Sequence, residues 1–289
     1  MYALIEQLTL EGAFPLAAAC DVLEVSRAGY YAWQSAAESA RQQRDRELMP
    51  LICDIFWNHK RRYGARRIAV ELAAQGQPCG VDRVAKLLKI QGLRAIQPQP
   101  FKPRTTDSRH SLGYSPNLLL RVSPPADINR IWVADITYIP LKGSGFAYLA
   151  LLMDLCSRRV VGWSLADHMT ETLVLDALQH AIRARQPPPN LIHHSDRGGQ
   201  YAGQAYRDVL RRGAMRQSMS RPANCYDNAF LESCFGTIKT ELEMTEYEDC
   251  RQARSEIACY LAYYNAERRH SALDYLSPVA FEAQFTVSR

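Results

Sequence analysis

Apolar residues recur at helical spacing through roughly the first third of the chain, vanish as a pattern across a proline-rich interval, and return as short runs that read as strands. Three short helices are predicted at the start, over MYALIEQLTLEG, PLAAACDVLE and SRAGYYAWQ. Pro15 suits a first helical turn and Ser26 an N-cap, and the short connection between the last two helices suggests a small helix-turn-helix. A polar stretch from Glu38 to Glu47 leads into a second helical group. Leu51, Ile52, Ile55 and Phe56 mark its first helix, RRYGARRIAVELAAQG its second and VDRVAKLLKIQG its third, which ends at Gly92. On that third helix Val84, Leu87 and Leu88 form the apolar stripe, and Arg83, Lys86 and Lys89 rise on the other side.

Between Ile96 and Asn129 proline, serine and charge replace any hydrophobic period, which predicts a linker and the main domain boundary. Beyond it IWVADITYI, FAYLALLMDL and RRVVGWSLA read as three strands. The predicted order continues with a helix (ETLVLDALQHAIRAR), a strand (LIHHS), a helix (YAGQAYRDVLRRG), a strand (AMRQSMS) and a helix (DNAFLESCFGTIKTEL). The expected organisation is a helix-turn-helix-like unit over 1–37, a basic helical domain over 38–96, the linker over 97–129, an α/β core of order βββαβαβα over 130–245, and a C-terminal helix and tail over 246–289 packing on that core.

Charge sharpens this picture. The net charge of +5 hides an uneven placement, because residues 59–104 hold eleven Lys and Arg against two Asp and Glu. That excess suits a surface following the phosphates of duplex DNA, with Arg66, Arg67, Arg83, Lys86 and Lys89 as candidate contacts; a solvated helical face uses the same residues. No apolar run is long enough to span a membrane and no secretion signal is present, so a cytoplasmic protein is expected. The eight cysteines form no CxxC pair and no finger spacing, which predicts reduced, packing thiols rather than a zinc module.

Three acids stand in pointed contexts: Asp135 in VADITYI, Asp196 in HHSDRGGQY and Glu232 in DNAFLESCFGTIK, with 35 residues between the last two. Carboxylates brought together from two strands and a helix supply hard oxygen ligands for Mg²⁺ and phosphodiester chemistry. Lys239 follows Glu232 by seven positions, about 700° of helix, so the two share a face. Asp227 reads as a helix cap, and Asp154 as a turn residue joining the second and third strands. His193 and His194, adjacent on a strand, point to opposite sides and are not expected to share a metal.

With VSRAGYYAW near the start, RRYGARRIAVEL before the core and YNAERRHSALDYLSP near the end, these motifs resemble the DDE transposases with a retroviral-integrase-type core. The likeness is greatest to the second-reading-frame (OrfB) products of the bacterial insertion-sequence-three family. The resemblance implies a ribonuclease-H-like fold and metal-dependent cleavage and strand transfer at insertion-element ends. It further implies two Mg²⁺ ions, replaceable by Mn²⁺, with Asp135 bridging both, Asp196 completing one site and Glu232 the other. Lys239 is then a contact to the DNA end. The partners implied are duplex DNA, an upstream-frame helix-turn-helix protein (OrfA) or a fusion with it, and further copies of the chain on DNA. A non-catalytic DNA-binding regulator and a ribonuclease-H-like nuclease are the competing functions. One departure from the family stands in SALDYLSP, where Asp274 replaces the more usual glycine and puts the local turn geometry in question.

Overall fold

The computed structural model describes residues 1–12, 14–35, 39–97, 113–120, 125–143, 145–221, 229–243 and 246–287. Asp227 and most of the proline-rich stretch lie outside the described residues. The chain divides into two compact units, Met1–Arg94 and Ala95–Arg289.

In the first unit α1 (Tyr2–Leu10), α2 (Leu16–Val22) and α3 (Arg27–Ser35) bury Ile5, Ala19, Cys20 and Tyr30 together. Pro15 is the N-cap of α2, and the Ser26 hydroxyl accepts the Gly29 N–H at 3.0 Å, which satisfies one free donor at the start of α3. Then α4 (Ala40–Asn58) opens on a capping box between Ser39 and Gln42, and α5 (Ala65–Ala74) and α6 (Val81–Ile90) pack against it and each other. The stripe expected on α6 is buried: Val84, Leu87 and Leu88 all face inward.

The second unit holds a five-stranded sheet in the order β3-β2-β1-β4-β5. Its strands are β1 (Ile131–Leu141), β2 (Gly145–Asp154), β3 (Val160–Ala166), β4 (Ile192–Ser195) and β5 (Arg216–Met219). β1 pairs antiparallel with β2 and parallel with β4, so the sheet is mixed, as the element order predicts. Between the strands run α7 (Glu171–Arg185), a short α8 (Gly199–Ala202) and α9 (Gln204–Arg212); after them come α10 (Ala229–Glu241), α11 (Cys250–Ala266) and α12 (Pro278–Val287).

Strand periodicity sorts the core into two halves. Ile131, Val133 and Ile139 of β1 face a cluster with Leu231, Cys234, Phe235 and Ile238 of α10 and Ile257, Tyr260, Leu261 and Tyr264 of α11. Trp132 and Ala134 face the other way, toward Leu173, Val174, Ala177 and Leu178 of α7 and Tyr201 and Tyr206 of α8 and α9. α7 comes so close to β3 that a Cβ at Gly162 would stand 2.3 Å from the Ala177 carbonyl oxygen, so only glycine fits there.

Two features add detail to the linker and tail expected. Residues 113–120 lie along β5: the Leu118 N–H donates to Ser218 Oγ at 2.9 Å and the Ser115 hydroxyl to Gln217 Oε1 at 2.9 Å. At the other end Glu282 of α12 accepts from Ser157 Oγ at 2.7 Å, Arg159 at 2.5 Å, and both terminal nitrogens of Arg185 at 2.7 and 2.8 Å. Burial alone would raise that carboxyl, but these donors outweigh it and hold Glu282 below its ordinary value. Asp274 adopts the left-handed conformation at φ 49°, which aspartate tolerates better than most side chains, so the turn geometry survives the loss of glycine. No described helix is long and apolar enough to cross a membrane.

Candidate active site

Asp135 lies in the middle of β1, on the face that meets α10 and α11, because it follows Ile131 and Val133 in the two-residue alternation. In the parallel pairing of β1 with β4, Ala134 stands opposite Ser195. The next step along each strand is therefore Asp135 on one and Asp196 on the other. Sixty residues of intervening chain are bridged by a single register, and two carboxylates are left side by side.

Local hydrogen bonds orient both acids. Asp135 Oδ1 accepts the Ile136 N–H at 2.8 Å. Asp196 Oδ1 accepts the Gly198 N–H at 2.9 Å, which folds the chain over the carboxylate before α8 begins. A Cβ at Gly198 would meet that oxygen at 3.1 Å and Gln200 Oε1 at 2.8 Å, so the second residue after Asp196 has little room for a side chain.

Electrostatics tie the remaining groups to these two. Burial pushes the Asp135 carboxyl well above its ordinary value, and the Asp196 charge pushes it further. The Ile136 N–H opposes the rise, Glu232 adds to it, and Lys239 opposes it. Lys239 is buried, which lowers its ammonium pKa, while Asp135 partly restores it. Glu232 and Lys239, which share a face of α10, thus both act on the Asp135 charge. Glu232 itself is exposed, whereas Glu241, the other acid near the end of α10, is buried and hydrogen-bonded by Arg268 and Tyr260. Among the described residues no three His, Cys, Asp or Glu side chains form a ready-made metal cage.

The other candidate groups fall outside this cluster. Asp154 ends β2 and accepts the N–H groups of Asn129, Cys156 and Ser157 at 2.6, 2.9 and 3.0 Å, which makes it the turn residue expected. His193 and His194 point to opposite sides of β4: His193 Nε2 meets Tyr206 Oη at 2.8 Å, and His194 sits between Ser218 and Ser220. Burial, with a smaller contribution from His194, pushes His193 down to about 3, so the ring is neutral.

In the first unit Lys86 and Lys89 are exposed on α6 and Arg66 is exposed on α5. Arg67 lies 5.5 Å from the centre of the Tyr63 ring. Arg83 is not part of the exposed set: its Nε donates to Asp45 at 2.6 Å and its Nη2 to the Arg41 carbonyl at 2.9 Å, which fastens α6 to α4. Residues passed over in the sequence also border the acids. Arg197, directly after Asp196, donates to the Ser220 carbonyl at 2.7 Å and stacks on Tyr114 at 4.6 Å. Its adjacency to Asp196 was a signal; Tyr114, in the linker, offered none.

Residues 126–225 and 214–278 match the integrase core domain, and residues 43–101 match an HTH-like domain. The transposase InsF of insertion sequence IS3A from Escherichia coli strain K12 is 41% identical over 285 residues, covering 97% of this chain and 98% of that protein. An uncharacterized 31 kDa protein of insertion element IS600 from Shigella sonnei is 41% identical over 268 residues, covering 92% of this chain and 98% of that one. Among solved structures, the HTLV-2 integrase catalytic core domain in complex with magnesium aligns at a TM-score of 0.43 and 20% identity, over 53% of this chain and 96% of that one.

Proposed function

Because the chain belongs to the insertion-sequence-three family of transposases, polynucleotidyl transferases with an integrase core, we propose that Asp135, Asp196 and Glu232 are the acids of its strand-cleavage and strand-transfer site. One observation carries this reading: the β1–β4 register sets Asp135 beside Asp196 on the face crossed by α10, where the charges of Glu232 and Lys239 both act on Asp135.

The donor set fits a divalent cation. Two half-buried carboxylates on adjoining strands repel each other, a repulsion that raises Asp135, and a third carboxylate is accessible on α10. Hard oxygens with surplus negative charge are what Mg²⁺ selects, and Mn²⁺ accepts the same donors. Asp135, Asp196 and Glu232 would together hold two such ions. When bound, such ions activate an attacking water or 3′-hydroxyl and stabilise the departing 3′-oxygen. The chain's own residues do the rest. Asp135 and Asp196 are held in orientation by Ile136 and Gly198, and Lys239 offers a buried cation beside Asp135 to the phosphate of a DNA end.

An HTH-like domain preceding the integrase core implies DNA binding. The exposed Arg66, Lys86 and Lys89, with Arg67, are the proposed phosphate contacts of the first unit, and Arg83 supports them from within. An upstream-frame partner or fusion, and a multimer on paired element ends, complete the proposed assembly.

The test is strand transfer with pre-cut end DNA. Asp135→Asn, Asp196→Asn and Glu232→Gln should each abolish joining while end binding persists, and Ca²⁺ should support binding alone. Joining by any of the three at the wild-type rate, or undiminished joining in excess chelator, would remove that residue or the metal from the mechanism.

A further inference from the structure

The YNAERRHSALDYLSP segment is joined to the active-site helix by a buried ion pair that the proposed chemistry does not use. Arg268, just past α11, donates through Nε to both carboxylate oxygens of Glu241 at 2.9 and 3.0 Å and through Nη2 to Oε1 at 2.7 Å. Tyr260 Oη donates to Glu241 Oε2 at 2.9 Å. Arg268 is 5% exposed and Glu241 7%, so the pair is shielded from water. Arg268 is anchored in turn, its own N–H bonding to the Tyr263 carbonyl at 3.0 Å.

The position of this pair on α10 gives it a specific consequence. Glu241 follows Glu232 by nine residues, about 900° or two and a half turns, and so projects from the opposite side of the helix. Leu231, Cys234, Phe235 and Ile238 also pack against the core, but apolar contacts tolerate small rotations and slides. A guanidinium fork meeting a carboxylate is directional and fixes an angle. Near the first turn Cys234 Sγ, 3.6 Å from Tyr264 Oη, adds a second, weaker polar tie to α11.

We propose that Arg268 and Tyr260 are positioning residues of the strand-transfer reaction. By gripping Glu241 on the back of α10, they set the rotation of the helix that presents Glu232 and Lys239 to Asp135. The proposal rests on the reading that Glu232 acts in the reaction. A buried ion pair contributes little net stability compared with a well-packed apolar pair, so its value here lies in angular definition.

The experiment uses the full-length protein, fused to its upstream partner where joining requires it, on pre-cut end DNA with Mg²⁺ or Mn²⁺. Three variants are compared: Tyr260→Phe, Arg268→Lys, and Glu241→Leu combined with Arg268→Met. The double variant should still unfold cooperatively and keep its KM for end DNA within about twofold, while kcat falls about a hundredfold, the loss that an ångström of misplacement produces. Tyr260→Phe and Arg268→Lys should lose severalfold in kcat with KM unchanged, and α10 amides should exchange faster in all three. Wild-type kcat in the double variant overturns the proposal. If the double variant does not fold, wild-type kcat in both conservative variants overturns it. Glu232→Gln is measured alongside: if it joins ends normally, the reading beneath the proposal fails, whatever the clamp variants do.

Discussion

Asp135→Asn isolates the electrostatic tension on which the active-site assignment depends. The substitution keeps the shape and the oxygen that accepts the Ile136 N–H, and removes only the charge. Adjoining strands lie about 4.8 Å apart. Two unit charges at that separation repel by about 3 kcal/mol at an effective dielectric of ~20. Both aspartates are half-buried and Lys239 offsets part of the repulsion, so about 1–2 kcal/mol remains at neutral pH. The sign follows from the direction of the shift. A carboxyl raised in the folded state favours folding below its unfolded pKa, and that benefit disappears as pH rises through the folded value. Wild-type protein in chelator is therefore under strain at neutral pH and the Asn variant is relieved. In urea titrations with chelator, Asp135→Asn should be the more stable by about 1–2 kcal/mol, with the gap closing in acid. Mg²⁺ at a hundred times its Kd should add about 2.7 kcal/mol to the wild type and little to the variant, reversing the order. An Asn variant less stable than wild type in chelator, or an equal response to Mg²⁺, would refute the reasoning.

Alanine at both Lys86 and Lys89 should lower the salt dependence of duplex binding by a log–log slope of about 1.8, without changing stability by more than about 0.5 kcal/mol. Arg83→Ala should instead leave the slope unchanged and cost about 1 kcal/mol through loss of the half-buried Asp45 pair, and the reverse pattern would reassign the two groups. Glu282→Gln should destabilise the second unit by about 3 kcal/mol at neutral pH, because it leaves the nearly buried Arg185 without its carboxylate. Since the Glu282 carboxyl is held low, its contribution is complete above the ordinary carboxylate range and lost as pH falls; urea midpoints for wild type and variant should converge in acid, and a constant gap would argue against the network. The isolated chain should join ends with less end specificity than the upstream-fused protein on labelled DNA, and equal performance would dispense with the partner.

What could be read directly from the sequence was whatever periodicity or local spacing encodes. The apolar runs containing Asp135 and preceding Asp196 identify strands, and the interval between Glu232 and Lys239 identifies a shared helical face. That β1 and β4 are neighbours in matching register is a property of the sheet, and no residue pair in the sequence announces it. Arg83 shows the limit. Its place opposite the Val84, Leu87 and Leu88 stripe suggested a solvent-facing cation, but Asp45 lies 38 positions away and no helical pattern announces the ion pair. The same holds for Glu241 with Arg268 and for Glu282 with Arg185, pairs whose partners are supplied only by the packing of separate segments. Residues 113–120 read as unstructured for a related reason: their hydrogen bonds go to β5, about a hundred positions downstream.

The division of the acids among β1, the end of β4 and α10 also orders the events of synthesis. Both aspartates leave the ribosome before Glu232, and the strand face that carries Asp135 stays uncovered until α10 and α11 follow. A chain released early displays Val133, Leu149 and Leu151 to solvent in place of a closed core, and such a surface invites chaperones and proteases. The helix that carries Glu232 is thus also one that closes the core, so a chain cut short before α10 lacks the third acid and the cover of the sheet at once.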